Sequence, residues 1–397
     1  MTNKQKTVYT VLITAVLTFI SSTVLYFALG SNIVYFLSNN QTADGIAKLN
    51  RIDKLVDKYF YGDIDKKEMQ DWAYAGYLAG LDDPYTEYIS SGEYDSFTET
   101  STGNYTGIGV EVTKNGEETV ISDIFEGTPA EKAGFLPNDI IKKIDGKDMA
   151  GKALSEVSSA IKEYAGKTFA VTVERGGKMI DINVEPGEIE TVQVSGKMLD
   201  GGISYIRISM FEGHCAEQLK TALDNAKNSG AKGIIFDVRN NPGGALDIIT
   251  NCVDQILDEG IILTVRDKNG KENVYKAKDK EKIDLPIVIL TNAQTASAAE
   301  VFTSSLHDNG KAYTVGTKTY GKGVVQTIFD LGDKSIAKIT TAKYFTPKNV
   351  CIDKIGLEPD KKVELDEKYK KMSVKYIPDG EDAQLITAVE VMKEKIK

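Results

Sequence analysis

PIVILTNAQTASAAEVFTSSL, residues 286–306, predicts a buried strand that turns directly into a helix. The apolar run at 286–290 is typical of a strand, and the run at 298–306 is typical of a helix. Ser297 lies at the turn between them, and only small residues flank it, so its hydroxyl is not crowded. The backbone N–H groups that begin a helix favour negative charge beside such a serine. The turn is therefore a candidate position for a nucleophile.

A second stretch, YGKGVVQ at residues 320–326, places a lysine between two glycines. The run around Lys322 otherwise predicts a strand. Gln326 follows four positions later, so in a strand its side chain shares a face with that of Lys322. A neutral amide at that place can hold the amine without raising its pKa. The alternative at this point is a solvated lysine in a glycine-rich hairpin.

The composition is typical of a globular protein with hydrophobic cores. The chain has 397 residues, of which 41% are hydrophobic and 27% charged, enough for roughly two to four domains. The net charge of −10 disfavours a general role in binding nucleic acid. Cys215, Cys252 and Cys351 are odd in number and widely separated, so neither a disulfide framework nor a zinc site is indicated. We predict no metal and no cofactor.

The N-terminal segment predicts a membrane anchor. Residues 8–29 are uncharged and mostly apolar, and a membrane-spanning helix needs about 20 such residues. Lys4 and Lys6 precede them, which predicts the N-terminus inside and the remainder outside. A cleaved signal peptide is the alternative, with Ala28 and Gly30 as small residues at the cleavage site, but its apolar region is usually only about 7–15 residues. We therefore expect a single-pass protein of the cell membrane whose main part is extracytoplasmic.

Two helical segments follow the anchor. One face of the first carries a repeating set of apolar residues, namely Ile46, Leu49, Ile52, Val56 and Tyr59. The second segment, residues 69–81, ends at LDDPY, where the proline stops the helix. We expect this region to contribute packing and no chemistry.

Residues 105–186 predict short strands that alternate with helices at 128–134 and 154–164. This order resembles a PDZ domain. The family's carboxylate-binding loop corresponds to GIGV, which is Gly107, Ile108, Gly109 and Val110. The resemblance implies that an extended peptide adds as a strand and that backbone N–H groups capture its C-terminal carboxylate. A small β domain used only for packing is the alternative.

After residue 187 strands alternate with helices. Strands are predicted at 202–208, 232–238 and 286–290, and helices at 215–229, 245–257 and 298–306. Repeated crossovers of this kind predict a mixed, largely parallel sheet faced by helices. Asn269 and Gly270 predict a hairpin. A final helix aligns Leu385, Val389, Met392 and Ile396, so we expect it to dock.

A serine hydroxyl needs a base to become a nucleophile. The two histidines are poorly placed: His214 precedes a helix in another unit, and His307 lies about three turns beyond Ser297 on a helix that points away. Lys322 is the better base, provided that burial lowers its pKa.

An oxyanion needs preorganised backbone donors. Gly243 and Gly244 follow a strand and open a helix, so they can present N–H groups that no side chain obstructs. The N–H of Ala298, next to Ser297, is the natural second donor. An ordinary strand-to-helix turn is the alternative interpretation of the two glycines.

Taken together, these segments resemble the C-terminal processing peptidases, also called tail-specific proteases. The matching motifs occur in the family's order and cover about residues 45–395. They are LDDPY at 81–85, the PDZ-like segment, DVRNNPGG at 237–244, ASAAE at 296–300, GKGVVQ at 321–326, GLEPD at 356–360 and DAQL at 382–385. A small departure is Ala299, where many members have serine.

The resemblance implies an α/β multi-domain protein whose crotonase-like β/α serine protease core carries an inserted PDZ domain. It implies Ser297 as nucleophile, Lys322 as general base and Gln326 as the residue that orients Lys322. The oxyanion would be framed by Gly243, Gly244 and Ala298. Substrates would be proteins or peptides with free C-terminal tails, and a homo-oligomer is compatible with this organisation.

This interpretation divides the chain into five parts. They are a cytoplasmic stub and anchor at 1–40, a helical region at 41–100, the PDZ domain at 101–188, the protease core at 189–365 and a tail with a docking helix at 366–397. Two alternatives belong to other classes. A catalytically dead PDZ adaptor is disfavoured by the intact serine, lysine and glutamine. A crotonase-type hydratase or thioesterase would need a CoA-binding surface and acidic catalytic residues, and would leave the PDZ insertion without a role.

Overall fold

The structure, a computed structural model, describes residues 40–125, 127–278, 283–370, 372 and 374–397. The anchor predicted at residues 8–29 lies outside them. No helix within these described ranges is long and apolar enough to cross a membrane. The chain divides into two units, residues 1–73 and 74–397.

The described part of the first unit contains helix α1 (Asn40–Tyr59) and the first half of helix α2 (Lys66–Ala79). The amine of Lys66 lies 2.5 Å from a carboxylate oxygen of Asp53 and 2.5 Å from one of Asp57. Both helices are present as predicted, and the packing role expected of this region stays a prediction. The apolar face of α1 is exposed, including Ile46, Leu49 and Ile52.

After the second half of α2, the second unit contains strand β1 (Glu87–Ile89) and helix α3 (Tyr94–Thr102), followed by an antiparallel domain. Its elements are β2 (Asn104–Gly107), β3 (Val110–Asn115), β4 (Glu118–Ile124), α4 (Pro129–Ala133), β5 (Ile140–Ile144), β6 (Lys147–Asp148), α5 (Leu154–Lys162), β7 (Phe169–Arg175), β8 (Lys178–Val184) and β9 (Gly187–Glu190). The strands pair in the order β3-β4-β5-β7-β8, with β6 on β5, while β2 pairs with β9. The predicted alternation of strands and helices is confirmed, and β3 is an edge strand of its sheet.

The remaining elements form the β/α core. They are β10 (Val194–Leu199), β11 (Ile203–Ile208), α6 (Cys215–Asn228), β12 (Gly233–Asp237), α7 (Leu246–Asp254), β13 (Gly260–Asp267), β14 (Glu272–Ala277), β15 (Ile287–Thr291), α8 (Ala298–Asp308), β16 (Ala312–Gly316), β17 (Val324–Asp330), β18 (Ile336–Phe345), β19 (Lys361–Lys362) and α9 (Ala383–Ile396), with 3-10 turns at Glu367–Tyr369 and Val374–Tyr376.

A six-stranded sheet in the order β10-β11-β12-β15-β16-β19 organises this core. All of its pairs are parallel except β10 with β11, as repeated crossovers predict. Strands β12 and β15 are buried along their whole length because helices cover both faces. Helices α6, α7 and α8 pack on one face. Helix α9 covers the other with Leu385, Ala388 and Met392, so the predicted docking of the last helix is confirmed.

A second, antiparallel sheet lies beside the first and has the order β1-β18-β13-β14, with β17 also paired to β18. The predicted hairpin at Gly270 joins β13 to β14. Pairing of β1 with β18 brings the segment after Pro84 next to the loop that carries Lys322, since β17 begins directly after that loop.

Candidate active site

Ser297 occupies a strained turn between β15 and α8. Its backbone has φ 54° and ψ −119°, a left-handed conformation that non-glycine residues rarely adopt and that is concentrated at functional sites. The small neighbours noted in the sequence leave room for such a turn. At this turn the backbone leaves the direction of β15 before helix α8 begins.

The glycine turn after β12 lies against Ser297. A Cβ built on Gly243 would be 2.8 Å from the Cβ of Ser297 and 2.9 Å from the Ala298 nitrogen, so only glycine fits there. The Gly243 N–H donates to Asn241 Oδ1 at 2.8 Å. In the part of the chain that the structure describes, the N–H groups of Gly244 and Ala298 have no hydrogen-bond partner. Two of the three predicted donors are therefore free for a ligand, and the third is already bonded.

The buried carboxylate of Glu300 joins the two candidate catalytic segments. Its Oε2 accepts from the backbone N–H groups of Ser297 and Lys322, each at 2.9 Å. Its Oε1 accepts from the Gly321 N–H at 2.8 Å and from the Thr319 hydroxyl at 2.5 Å. Burial raises the pKa of Glu300, while these four donors favour the carboxylate. A single side chain thus fixes the serine turn and the lysine loop relative to each other.

Tyr344 on β18 forms a second connection between the same segments. Its fully buried hydroxyl lies 3.0 Å from the carbonyl oxygen of Ser297 and also contacts the carbonyl oxygen of Lys322. Burial raises the pKa of Tyr344 well above its ordinary value, so the phenol stays protonated. Glu300 and Tyr344 together thus hold the backbone at Ser297 and at Lys322.

Lys322 does not lie in a strand, which corrects the sequence-based prediction. It stands in a loop, and β17 begins only at Val324. The register of β17 against β18 also shifts between Val325 and Gln326, so the argument from strand periodicity does not hold. The Gln326 amide nitrogen donates to the Thr340 hydroxyl at 3.1 Å. Within the described residues, no hydrogen bond joins Lys322 to Ser297 or to Gln326.

The half-buried Lys322 amine lies 4.6 Å from the centroid of the Tyr85 ring. Its pKa is lowered, chiefly by burial and then by the positive charge of Lys338, while Glu87 and Asp83 oppose the change. Burial and a hydrogen bond with Tyr320 raise the pKa of Tyr85 to about 12, so this ring is a neutral neighbour. The direction of the lysine shift is the one that a general base requires.

All six predicted catalytic and oxyanion residues line one cavity of about 460 Å³: Gly243, Gly244, Ser297, Ala298, Lys322 and Gln326. Neither histidine is among its lining residues. His307 instead lies 3.2 Å from Asp308 and 3.1 Å from Asp360. The cavity thus brings together a serine hydroxyl, a lysine amine and two unpaired backbone N–H groups.

A buried arginine lies in the chain between β12 and the glycine turn. Arg239 at the end of β12 lies 2.7 Å from Asp237 and 2.8 Å from Asp382, and it donates to Gln384 at 3.0 Å. Tyr205 donates to Asp237 at 2.6 Å. The carboxylates of Asp237 and Asp382 raise the pKa of Arg239 despite its burial, and the charge and hydrogen bonds of Arg239 in turn hold the pKa of Asp237 below its ordinary value although burial opposes this. The network ties the turn to the start of α9.

The predicted carboxylate loop connects β2 to β3. The carbonyl oxygens of Ile108 and Gly109 accept from Ala130 and Phe125 at 2.8 and 3.0 Å. The side chain of Ile108 is buried in the core of this domain. Val110 is half-buried at the start of the edge strand β3.

Comparison with known proteins assigns the two domains. The profile of peptidase family S41 matches residues 202–363, and that of the PDZ domain matches residues 106–185. The chain is 35% identical to the carboxy-terminal processing protease CtpA of Bacillus subtilis over 369 residues, which is 92% of this chain and 78% of that protein. The chain belongs to peptidase family S41.

Further relatives agree with this assignment. The S41 peptidase is 34% identical to a CtpA-like serine protease of Staphylococcus saprophyticus over 87% of this chain and 70% of the relative. It shares its fold with the crystal structure of an S41 protease from Bacteroides fragilis, at 17% identity and a TM-score of 0.53, over 85% of this chain and 99% of that one. The predicted combination of serine peptidase core and PDZ domain is confirmed. The hydratase and adaptor alternatives are set aside.

Sequence reasoning missed three residues of the peptidase site. Glu300 and Tyr344 fix the backbone, and Tyr85 contacts the lysine amine. Glu300 could have been noticed as a carboxylate on an otherwise small and apolar helix start. Tyr344 carried no signal in the sequence, because its role depends on the pairing of β17 with β18.

Proposed function

We propose that this S41 peptidase is a membrane-anchored, extracytoplasmic endopeptidase that processes proteins at their C-terminal tails with a Ser–Lys site. Ser297 is the nucleophile, Lys322 the general base and Gln326 the residue that orients the base. The observation that carries the proposal is the single cavity that contains these three side chains beside two unpaired backbone donors. The similarity to carboxy-terminal processing proteases supports the choice of substrate.

Catalysis begins when the Lys322 amine leaves the Tyr85 ring and approaches the serine. The neutral amine takes the proton of the Ser297 hydroxyl as its oxygen attacks the scissile carbonyl carbon. The oxyanion accepts from the N–H groups of Gly244 and Ala298. Collapse breaks the C–N bond, and the leaving amine receives the proton from the Lys322 ammonium. Water, deprotonated by the same lysine, then hydrolyses the acyl-enzyme ester.

The glycines have separate roles in this mechanism. The Gly243 N–H is occupied by Asn241, so Gly243 serves by allowing the turn to approach Ser297 closely. Gly244 supplies the donor. Ala298 supplies the second at the start of α8, where the helix dipole also favours the negative charge.

Activity should depend on pH through the lowered pKa of Lys322. A lysine base works only when neutral, so kcat/KM should rise as the pH passes through that pKa. Lys338→Met removes a charge that lowers this pKa, and should move the rising limb to higher pH. Glu87→Gln removes a charge that raises it, and should move the limb to lower pH. Peptide hydrolysis measured across the pH range tests both. If the rising limb of the pH profile stays at the parental position in both variants, or shifts in the same direction in both, the assignment of the base is contradicted.

We further propose that residues 101–188 act as a tail-sensing PDZ domain and residues 189–365 as the protease core, with the helical region at 41–100, the tail at 366–397 and the anchor within 1–40. The loop from Gly107 to Val110 leads into the edge strand β3, which begins at Val110. A peptide can add to such an edge while the loop N–H groups bind its terminal carboxylate.

Cleavage should therefore depend on a free C-terminus. An unstructured protein that ends in a small apolar residue should be cleaved faster than its amidated or Asp-terminated form, because charge-assisted hydrogen bonds to the carboxylate are lost or the last side chain is disfavoured. Initial rates with the parent and with a chain lacking residues 105–186 provide the test. The deletion should abolish the preference, while a short internal peptide reports whether its site remains competent. Equal rates for free and amidated tails with the parent enzyme would rule out tail sensing.

A further inference from the structure

The cavity around Ser297 contains a carboxyl group that the proposed mechanism does not use. Glu212 follows Phe211 in the segment between β11 and α6, and it lines the same cavity. A Cβ built on Gly244 would lie 3.0 Å from the Glu212 Cγ. The side chain therefore stands beside the glycine turn, close to where the scissile carbonyl is expected.

One oxygen of this carboxyl is buried without a partner. Glu212 Oε2 has no hydrogen bond among the residues that the structure describes. Burial raises the pKa of Glu212. A buried acceptor left unsatisfied is destabilising, because it has lost its water partner and gained none in the protein. The other unpaired buried side-chain atoms, on Thr119, Arg207 and Gln255, belong to residues that do not line the cavity. This acceptor is thus left open at the place where a substrate would bind.

The rest of the wall is mostly apolar, and among the described residues neither of its lysines, Lys322 and Lys338, forms an ion pair with Glu212. Its apolar members include Met210, Leu246, Ile249, Leu263, Val301 and Val325. The Lys338 amine also belongs to the lining, but it lies 2.8 Å from Glu87. Its charge is already compensated, and the uncompensated acidic group of the cavity is Glu212.

Resting on the proposed peptidase function, we propose that Glu212 is a specificity-determining residue that selects a basic side chain next to the cleaved bond. Lysine and arginine carry an apolar stem that ends in a cationic donor. The stem fits the aliphatic wall, and the cation donates to the open carboxyl oxygen. The substrate charge in turn favours the carboxylate form of Glu212, so the pair forms as the substrate enters.

A matched pair of peptides tests this proposal on the full-length chain. The two peptides differ in one position beside the cleaved bond, which holds lysine in one and norleucine in the other, and each side of the bond is tested in turn. The parent should favour lysine by roughly 10- to 100-fold in kcat/KM, as expected for a hydrogen bond to a charged group. Glu212→Gln, which keeps the shape, should bring the ratio close to one. Glu212→Leu should invert it while norleucine peptides are still cleaved.

The outcomes separate this inference from the proposed function. If both peptides are cleaved in a Ser297-dependent manner with the same ratio in the parent and in Glu212→Leu, the specificity role is overturned and the peptidase function stands. If Glu212→Leu lowers cleavage of both peptides equally, Glu212 is structural and the role is likewise overturned. If neither peptide is cleaved by the parent, the proposed function fails as well.

Discussion

Replacing Lys322 with alanine is expected to lower kcat/KM by roughly 10⁴-fold or more, and Ser297→Ala should do the same, because members of one catalytic unit lose nearly the whole of its contribution. Without the lysine no neutral base faces the hydroxyl, and without the hydroxyl no acyl-enzyme forms. Gln326→Ala should cost less, since the amide orients the base and transfers no proton. Hydrolysis of a fluorogenic peptide by the purified full-length variants measures all three.

The two histidines provide the control for this experiment. His307 interacts with Asp308 and Asp360 away from the cavity, and His214 precedes α6 outside the lining. Alanine at either position should leave kcat/KM near the parental value. A histidine variant that lost activity while Lys322→Ala kept it would mean that the base has been misassigned.

Glu300→Ala should lower both stability and turnover. Its removal leaves three backbone N–H groups and the Thr319 hydroxyl without their buried acceptor. Because each buried unsatisfied group costs about 1–3 kcal/mol, we expect a loss of roughly 3 kcal/mol or more in the free energy of unfolding. Displacement of the serine turn from the lysine loop should lower kcat by about 100-fold, as small misplacements in active sites do.

Glu300→Gln separates the effect of the carboxylate's acceptors from the effect of the side chain's shape. A glutamine fills the same space, but its NH₂ group must face either the N–H groups of Ser297 and Lys322 or that of Gly321, because only the Thr319 hydroxyl can turn to accept from it. We therefore expect most of the alanine effect to persist. Tyr344→Phe, which removes one hydroxyl and keeps the carboxylate, should be milder in thermal unfolding and in kcat. A glutamine variant with parental unfolding and turnover would show that the carboxylate does not hold the two segments.

The parallel sheet and the antiparallel domain could be predicted because their signals are local. Strands β12 and β15 are short apolar runs followed by turns and helices, so each can be recognised from about ten residues of sequence. The serine was visible for the same reason. Its positive φ was not, because the surroundings of this turn include residues such as Gly243 that are distant in the sequence.

The lysine loop shows where sequence patterns fail. Gly321 and Gly323 suggested an irregular strand, yet they are required because a distant segment crosses them. A Cβ on Gly321 would lie 2.8 Å from the Gly356 nitrogen, and one on Gly323 would lie 2.4 Å from the Asp353 nitrogen. Similarly, Glu300 accepts hydrogen bonds from the N–H groups of Gly321 and Lys322, which lie 21 and 22 residues further along the chain. Such contacts depend on tertiary structure, and no periodicity records them.

The pairing of Arg239 with Asp382 spans 143 residues of sequence. Contacts of such separation form late in folding, because the entropy of closing the intervening chain must be overcome first. Until α9 docks, the arginine beneath the glycine turn has only Asp237 as a counter-ion, and a buried charge with incomplete pairing is strongly destabilising. We therefore expect the glycine turn and the last helix to reach their final arrangement together. A chain in which α9 has not docked would then lack the finished turn next to Ser297, so the proposed Ser–Lys activity should appear only once the fold is complete.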